Sequence, residues 1–211
     1  MPRQCTATRP GYLIQAPPVP DTTHMGQVES LSNHFLIAMP ALSDPNFHHT
    51  ATLICEHNED GALGLVINRP TELSLGDILE HMEIATTRKD VTRQPVFMGG
   101  PVQNDRGFVL HEPVGDWEAT LRVSEQTGIT SSRDILEAIA RGEGPEKSFI
   151  TLGYAGWGAG QLEEELAANA WLSGPADTAI VFQTPYDQRW EAAAALIGVD
   201  LRLISGETGH A

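Results

Sequence analysis

The chain has 211 residues, 41% apolar and 19% charged, which is enough for one domain with a substantial core. Its 28 Asp and Glu against 13 Lys and Arg leave a formal charge of −15, with no basic cluster beyond Arg88-Lys89. Duplex binding needs a basic face to displace counterions, so no direct nucleic-acid binding is expected. No apolar run approaches the roughly 18 residues of a membrane span, so no membrane association is expected. Residues 1–15 lack the apolar stretch of a secretory signal. Cys5 and Cys55 share no metal or redox spacing, which suits reduced thiols in a cytoplasmic protein.

Residues 1–27 hold five prolines, no periodicity and only Arg3, Arg9 and Asp21 as charges, so they read as a mobile N-terminal extension. The folded part, 28–211, opens with a strand over His34–Met39, stopped by Pro40 and a turn at Ser43-Asp44-Pro45-Asn46. Thr50–His57 and Ala62–Asn68 are strands around Asn58-Glu59-Asp60-Gly61, a hairpin signal. Ser74-Leu75-Gly76-Asp77 has the form of a capping box, with Ile78, Leu79 and Met82 as the helical stripe behind it. Short strands follow at Pro95–Met98, Gly107–His111 and Ala119–Val123. A helix then starts at Ser131-Ser132-Arg133-Asp134 and ends at Gly142.

Ser148-Phe149-Ile150 reads as a short buried strand leading into a glycine-rich turn at 151–160, then a helix running through Asn169 and Trp171. Ala179–Gln183 and Leu201–Ile204 read as strands. Between them Thr184-Pro185 opens a helix with Tyr186, Trp190, Ala193, Ala194 and Ile197 on its apolar face. The order is not a regular βαβ repeat. It predicts a single α+β domain: a mixed, partly antiparallel β-sheet with flanking helices.

The glycine stretch invites comparison with a dinucleotide loop, but Gly156, Gly158 and Gly160 give G-x-G-x-G, without the third glycine of the fingerprint. Glu163, Glu164 and Glu165 occupy the first turn of the next helix, where they suit the dipole and would repel a phosphate. The stretch is then either a structural turn packed by Tyr154 and Trp157, or a binding surface with Gln161 and Glu163 as its polar groups. Asn68-Arg69-Pro70 closes a strand, and Arg69 is either an anion-holding group or an ordinary ion pair. His48, His49, Glu56 and His57 have no metal-ligand spacing, alternating across a strand if all lie on one. No metal and no cofactor is expected. Cys55 reads as a buried, inert thiol by default. No G-x-S-x-G, P-loop or kinase signature occurs.

The stretches His34-Phe35-Leu36-Ile37-Ala38-Met39-Pro40, Cys55-Glu56-His57-Asn58, Gly61–Pro70, Gly99-Gly100-Pro101-Val102 and Leu152–Leu166, in this order, resemble the AlgH/YqgE family of bacterial proteins. The resemblance runs from about Leu31 to Ile204 and implies an α+β fold with mixed sheet. It implies no catalytic residues. The family's label of transcriptional regulator comes from an association with alginate production. The residues marked by the resemblance are Asn68, Arg69, Pro70, Gly99, Gly100, Tyr154, Trp157, Gln161 and Glu163, a candidate shared surface. A non-enzymatic binding or regulatory protein, acting through a protein or small-ligand partner, is the expected function. The alternative is an enzyme with a pocket near Arg69 and residues 153–163, using Glu163 or Cys55. A DNA-binding repressor conflicts with the charge.

Overall fold

Everything in the sheet is hung on one long strand, β9 (Lys147–Gly158), in the computed structural model, which describes residues 30–204. Its first half pairs antiparallel with β6 (Val102–Glu112) and parallel with β5 (Pro95–Met98). Its second half pairs antiparallel with β3 (Gly61–Val66), which forms a hairpin with β2 (Ala51–Asn58). The sheet continues from β2 through β1 (His34–Ala38) to β10 (Trp171–Pro175) at one edge. From β6 it continues through β8 (Gly128–Thr130) to β7 (Thr120–Arg122) at the other. A further strand, β4 (Pro70–Ser74), pairs with β5 alone. The sheet is mixed and largely antiparallel, as predicted.

Gly99 locks the centre. Its N–H donates to Leu152 O and its carbonyl accepts from Val66 N, both at 2.8 Å, so it bridges β9 and β3. Gly100 follows at φ +155°, and a Cβ there would lie 2.2 Å from the Tyr154 carbonyl carbon and 2.3 Å from Ala155 N. Only a residue without a side chain permits that approach.

Three apolar clusters fill the space around this sheet. On one face Phe35, Leu53, Leu65, Leu110 and Phe149 pack beneath α5 (Thr178–Phe182) and α6 (Arg189–Leu196). Elsewhere α1 (Leu75–His81), α2 (Lys89–Thr92) and α3 (Arg133–Arg141) cover Val96, Val109 and Ile150. Beneath α4 (Gln161–Ala167), Leu36, Ile54, Trp157 and Trp171 form the third cluster. Among the described residues no helix is long and apolar enough to cross a membrane.

Local signals held where the chain could satisfy itself. Ser74 and Asp77 form the reciprocal capping box, and Gly142 ends α3 at φ +80°. Elsewhere packing overruled the predicted elements. The glycine stretch is not a turn but the body of β9, and the chain turns only at Ala159-Gly160. Trp171 begins an edge strand rather than ending a helix, because its segment hydrogen-bonds to β1. The predicted strand at Ala179–Gln183 is α5, started by the Asp177 carboxylate accepting from Ala179 N. A four-residue apolar run has no period of its own to decide between the two. Leu201–Ile204, predicted as a strand, is a short helix, α7, which pairs with no strand among the described residues. The proline-led β4 and the short α2 were not predicted. The predicted 1–27 extension lies outside the described residues.

The helix α6 is held by a buried cation. Arg189 donates to Thr184 O at 2.9 Å and to Ile67 O, and its guanidinium lies about 5 Å from both the Phe97 and Phe149 ring centres. Burial without a carboxylate partner pushes its pKa down to about 10. Thr184 thus serves through its carbonyl, while the helix itself begins at Arg189 after a 3₁₀ turn over Tyr186–Gln188. Tyr186, expected on the apolar face, is 47% exposed.

Gly100→Ala should cost at least ~3 kcal/mol, because the clash is with backbone that cannot move without breaking β9. Urea denaturation checks this, and a loss below 1 kcal/mol would show the sheet centre to be pliable.

Candidate functional site

The sequence between Trp157 and Trp171 builds a carboxylate-centred network. α4 begins immediately after the Gly160 turn, so its first two turns lie back across the end of β9. Glu165, on this helix, accepts from Trp157 Nε1 at 2.9 Å and Trp171 Nε1 at 2.8 Å on the same oxygen. Its other oxygen accepts from Gln161 Nε2 at 3.0 Å, and Gln161 Oε1 accepts from Gly158 N at 3.0 Å. Phe47 packs on both indoles, stacked on Trp157 and edge-on to Trp171. A carboxylate that takes two indole protons is a structural acceptor rather than an open base.

Glu163 is likewise committed, accepting from His57 Nε2 at 2.9 Å. The His57 ring is buried, and its Nδ1 accepts the Leu31 backbone N–H at 3.0 Å, which places the ring hydrogen on Nε2. His57 therefore ties the chain entering β1 to α4. Glu163 thus shares α4 with Gln161 but makes a separate contact, to His57, while Gln161 and Trp157 are joined through Glu165; the sequence had not marked His57 and Glu165 as site residues. Within Leu162-Glu163-Glu164-Glu165-Leu166 no spacing singles out Glu165 from its neighbours.

Asn68 and Arg69 serve a different segment. Asn68 Oδ1 accepts from Ala51 N at 3.1 Å and its Nδ2 donates to His49 O at 2.8 Å. Arg69 donates to Pro45 O at 2.7 Å and His48 O at 3.0 Å. Half-burial lowers its pKa, an effect that the Asp44 carboxylate opposes. Both side chains fasten the 44–49 loop, which presents Phe47 to the two tryptophans. The Asn68-Arg69 motif and the 153–163 stretch therefore meet through that loop and share no cleft. Alternation along β9 sends Tyr154 to the opposite face from Trp157, edge-on to Phe108. Gly99 and Gly100 lie between, acting as backbone.

His48 and His49 precede β2 in the loop instead of alternating along a strand, and their rings stack 3.8 Å apart, His49 resting on Trp190. Among the described residues no group of three or more His, Cys, Asp or Glu is placed to hold a metal ion. Cys55 is enclosed at a bulge in β2, its thiol aimed at Leu53 O, and burial pushes its pKa up to about 12. It has no thiolate to offer at neutral pH.

Beside the motif residues there is a shallow, open and polar recess, bounded by Glu56, Asn58, Asp60, Tyr154 and Trp157; an apolar one that no sequence motif marked lies elsewhere. Between α1, α3 and the sheet there is a cavity of about 250 Å³. Ile78 and Met82 form one wall and Leu136 another, with Val109, Ile150 and Leu152 as the floor. Gly107 pairs with Leu152 and Val109 with Ile150, so alternate residues of both strands face the same space. A Cβ on Gly107 would meet no atom within 4 Å, unlike the glycines at the sheet centre. The missing side chain at that position helps keep the recess open. His81, Asp105, Ser131 and Arg133 stand among its polar lining.

A family model described as AlgH-like (DUF179) matches residues 35–202. The chain belongs to that family. It is 62% identical over 179 residues to a UPF0301 protein of Nitrosococcus oceani, covering 85% of this chain and 96% of that one. A UPF0301 protein of Thioalkalivibrio sulfidiphilus is also 62% identical, over 86% of this chain and 97% of its own. The solution structure of AlgH from Pseudomonas aeruginosa matches with a TM-score of 0.73 and 51% identity, over 88% and 98% of the two chains. A crystal structure of DIP2367 from Corynebacterium diphtheriae matches with TM-score 0.67 at 19% identity, over 86% and 94%, and shows the shared fold alone. The AlgH-like match spans the β9 spine, the Glu165 network and the cavity.

Glu165→Ala should cost about 2–4 kcal/mol, since two buried indole N–H groups lose their acceptor. Urea unfolding followed by tryptophan emission reads the loss, and an unchanged midpoint would contradict the role assigned to Glu165. In a Cys5→Ser background at pH 8, Cys55 should react with a thiol reagent at least ~100-fold more slowly than free cysteine until the protein unfolds. Rapid labelling of the native protein would refute the burial argument.

Proposed function

We propose that this protein is a non-enzymatic cytoplasmic binding protein, with any regulatory effect exerted through the ligand or protein partner that it binds. The cavity between α1, α3 and the sheet is the proposed ligand site. The observation that carries the reading is the contrast between the two regions. The polar residues marked by motif are consumed in holding the fold, whereas the cavity is apolar, open and unfilled by any side chain. Concave apolar sites with a few polar groups at the rim are the usual form of small-molecule sites.

Nothing among these side chains pairs a nucleophile with a base. Cys55 is enclosed away from the cavity, and Arg69 holds loop carbonyls rather than facing a pocket with Glu163. The enzyme alternative rested on those residues converging. Direct gripping of DNA remains at odds with the −15 charge, so the regulatory label of the family is best carried by indirect action.

Screening a set of small apolar and amphiphilic fragments by NMR with the full chain tests this. Hits should shift the amides of Gly107, Val109, Leu136 and Ile150, and each compound should be recovered unchanged after prolonged incubation. Hits that cluster away from the cavity would remove it as the site, and conversion of a bound compound would restore the enzyme reading.

A further inference from the structure

The cavity has walls of one chemical kind and a rim of another. Ile78, Met82, Val109, Leu136, Ile150 and Leu152 are aliphatic or thioether side chains, and Phe108 turns its ring to the other face of β6 against Tyr154. No ring face is offered for stacking a planar heterocycle. A cavity of ~150 Å³ takes up benzene, so about 250 Å³ accommodates roughly ten non-hydrogen atoms.

The rim favours negative charge at one point. Arg133 opens α3, a nine-residue helix, and gives only its Nε–H to Glu137, at 2.7 Å. Its two outer nitrogens make no other hydrogen bond among the described residues, which leaves the side of the guanidinium that grips a carboxylate. Beside it the Ser131 hydroxyl accepts from Arg106 at 3.0 Å and keeps its own proton to give. The positive end of α3 is itself occupied by Asp134, whose carboxylate accepts from Ser132 Oγ and Glu118 N, so the attraction at this lip comes from Arg133 and the Ser131 hydroxyl. His81 stands across the recess on α1, and Asp105, on the exposed start of β6, is the one carboxylate among the lining residues.

We propose that the cavity binds an aliphatic monocarboxylate of about eight carbons, its tail between α1 and α3 and its carboxylate at Arg133 and Ser131. This rests on the reading of the cavity as the ligand site. The size excludes long acyl chains without displacement of α1, and the aliphatic walls disfavour nucleotides and other flat polar ligands. Gly107 is the residue that leaves room for the tail, because any side chain there would project into the same space.

The test titrates the isotopically labelled full chain with octanoate, 1-octanol and octylamine, following amide shifts. Octanoate should shift Gly107, Thr130, Ser132 and Leu136 saturably and bind about tenfold more tightly than octanol, the margin expected of a charge-assisted contact. Arg133→Gln should remove that advantage and leave octanol binding unchanged. Gly107→Val, whose new Cβ meets nothing within 4 Å, should abolish binding of both with the spectrum otherwise native. Ile78→Phe, at a partly exposed helix position, is the second blocking variant should the first fail to fold. Octanol or octylamine binding as tightly as octanoate, or octanoate binding unaffected by Arg133→Gln, would overturn the carboxylate assignment and leave the cavity standing. No saturable shift with any of the three would overturn the cavity reading itself.

Discussion

The backbone of Gly99-Gly100 pressed against residues 152–155 of β9 is the contact on which the rest of the architecture depends. Gly99 spends its N–H on β9 and its carbonyl on β3, so three segments converge where a side chain would hold them apart. With that approach made, β9 can pair with β5 and then β3 along one edge while β6 runs along the other. The alternation of a single long strand then distributes its residues. Gly153, at φ +71°, breaks that period, so Ile150 and Leu152 face the recess beneath α1 and α3 while Tyr154, of the same parity, goes to the face under α6 and Trp157 to the face under α4.

The second theme is how a strongly acidic chain uses its buried polar groups. Glu163, itself partly exposed, meets the buried His57, and Glu165 meets two buried indoles, so each joins elements distant in sequence. The inward-facing cations do not pair with these acids. Arg69 and Arg189 spend their donors on backbone carbonyls, and Arg189 rests between two phenylalanine rings. Removing either partner of such a contact leaves a buried group unmet, which explains why these residues look functional in a motif while acting as fasteners. The 44–49 loop shows the consequence. Asn68 and Arg69 hold its backbone, Phe47 projects from it onto Trp157 and Trp171, and the two motifs are joined mechanically without sharing a cleft.

The cavity follows from a different economy. Where the sheet centre needs glycines to close, Gly107 leaves a space that nothing refills, and the neighbouring side chains are apolar enough to keep it from collapsing onto polar contacts. Its lining is set by two helices that approach from opposite sides, with Arg133 and Ser131 at one lip and His81 at the other.

The amino-acid sequence alone determined the features whose energetics are local. The Ser74–Asp77 capping box, the Gly142 stop, the turn at 58–61 and the mixed α+β order are written in short-range hydrogen bonds and side-chain periodicity. The resemblance carried by the ordered motifs likewise located the family, because residues such as Gly99 and Gly100 mark backbone contacts that tolerate no substitute. Tertiary structure alone decided the rest. Ala179–Gln183 and Trp171 are apolar runs too short to carry a period, so the pairing available around them chose helix for one and strand for the other. The partners of Glu163, Glu165 and Arg69, and the space above Gly107, arise between segments far apart in the chain. Their identity depends on which faces the sheet brings together, and no local pattern encodes that.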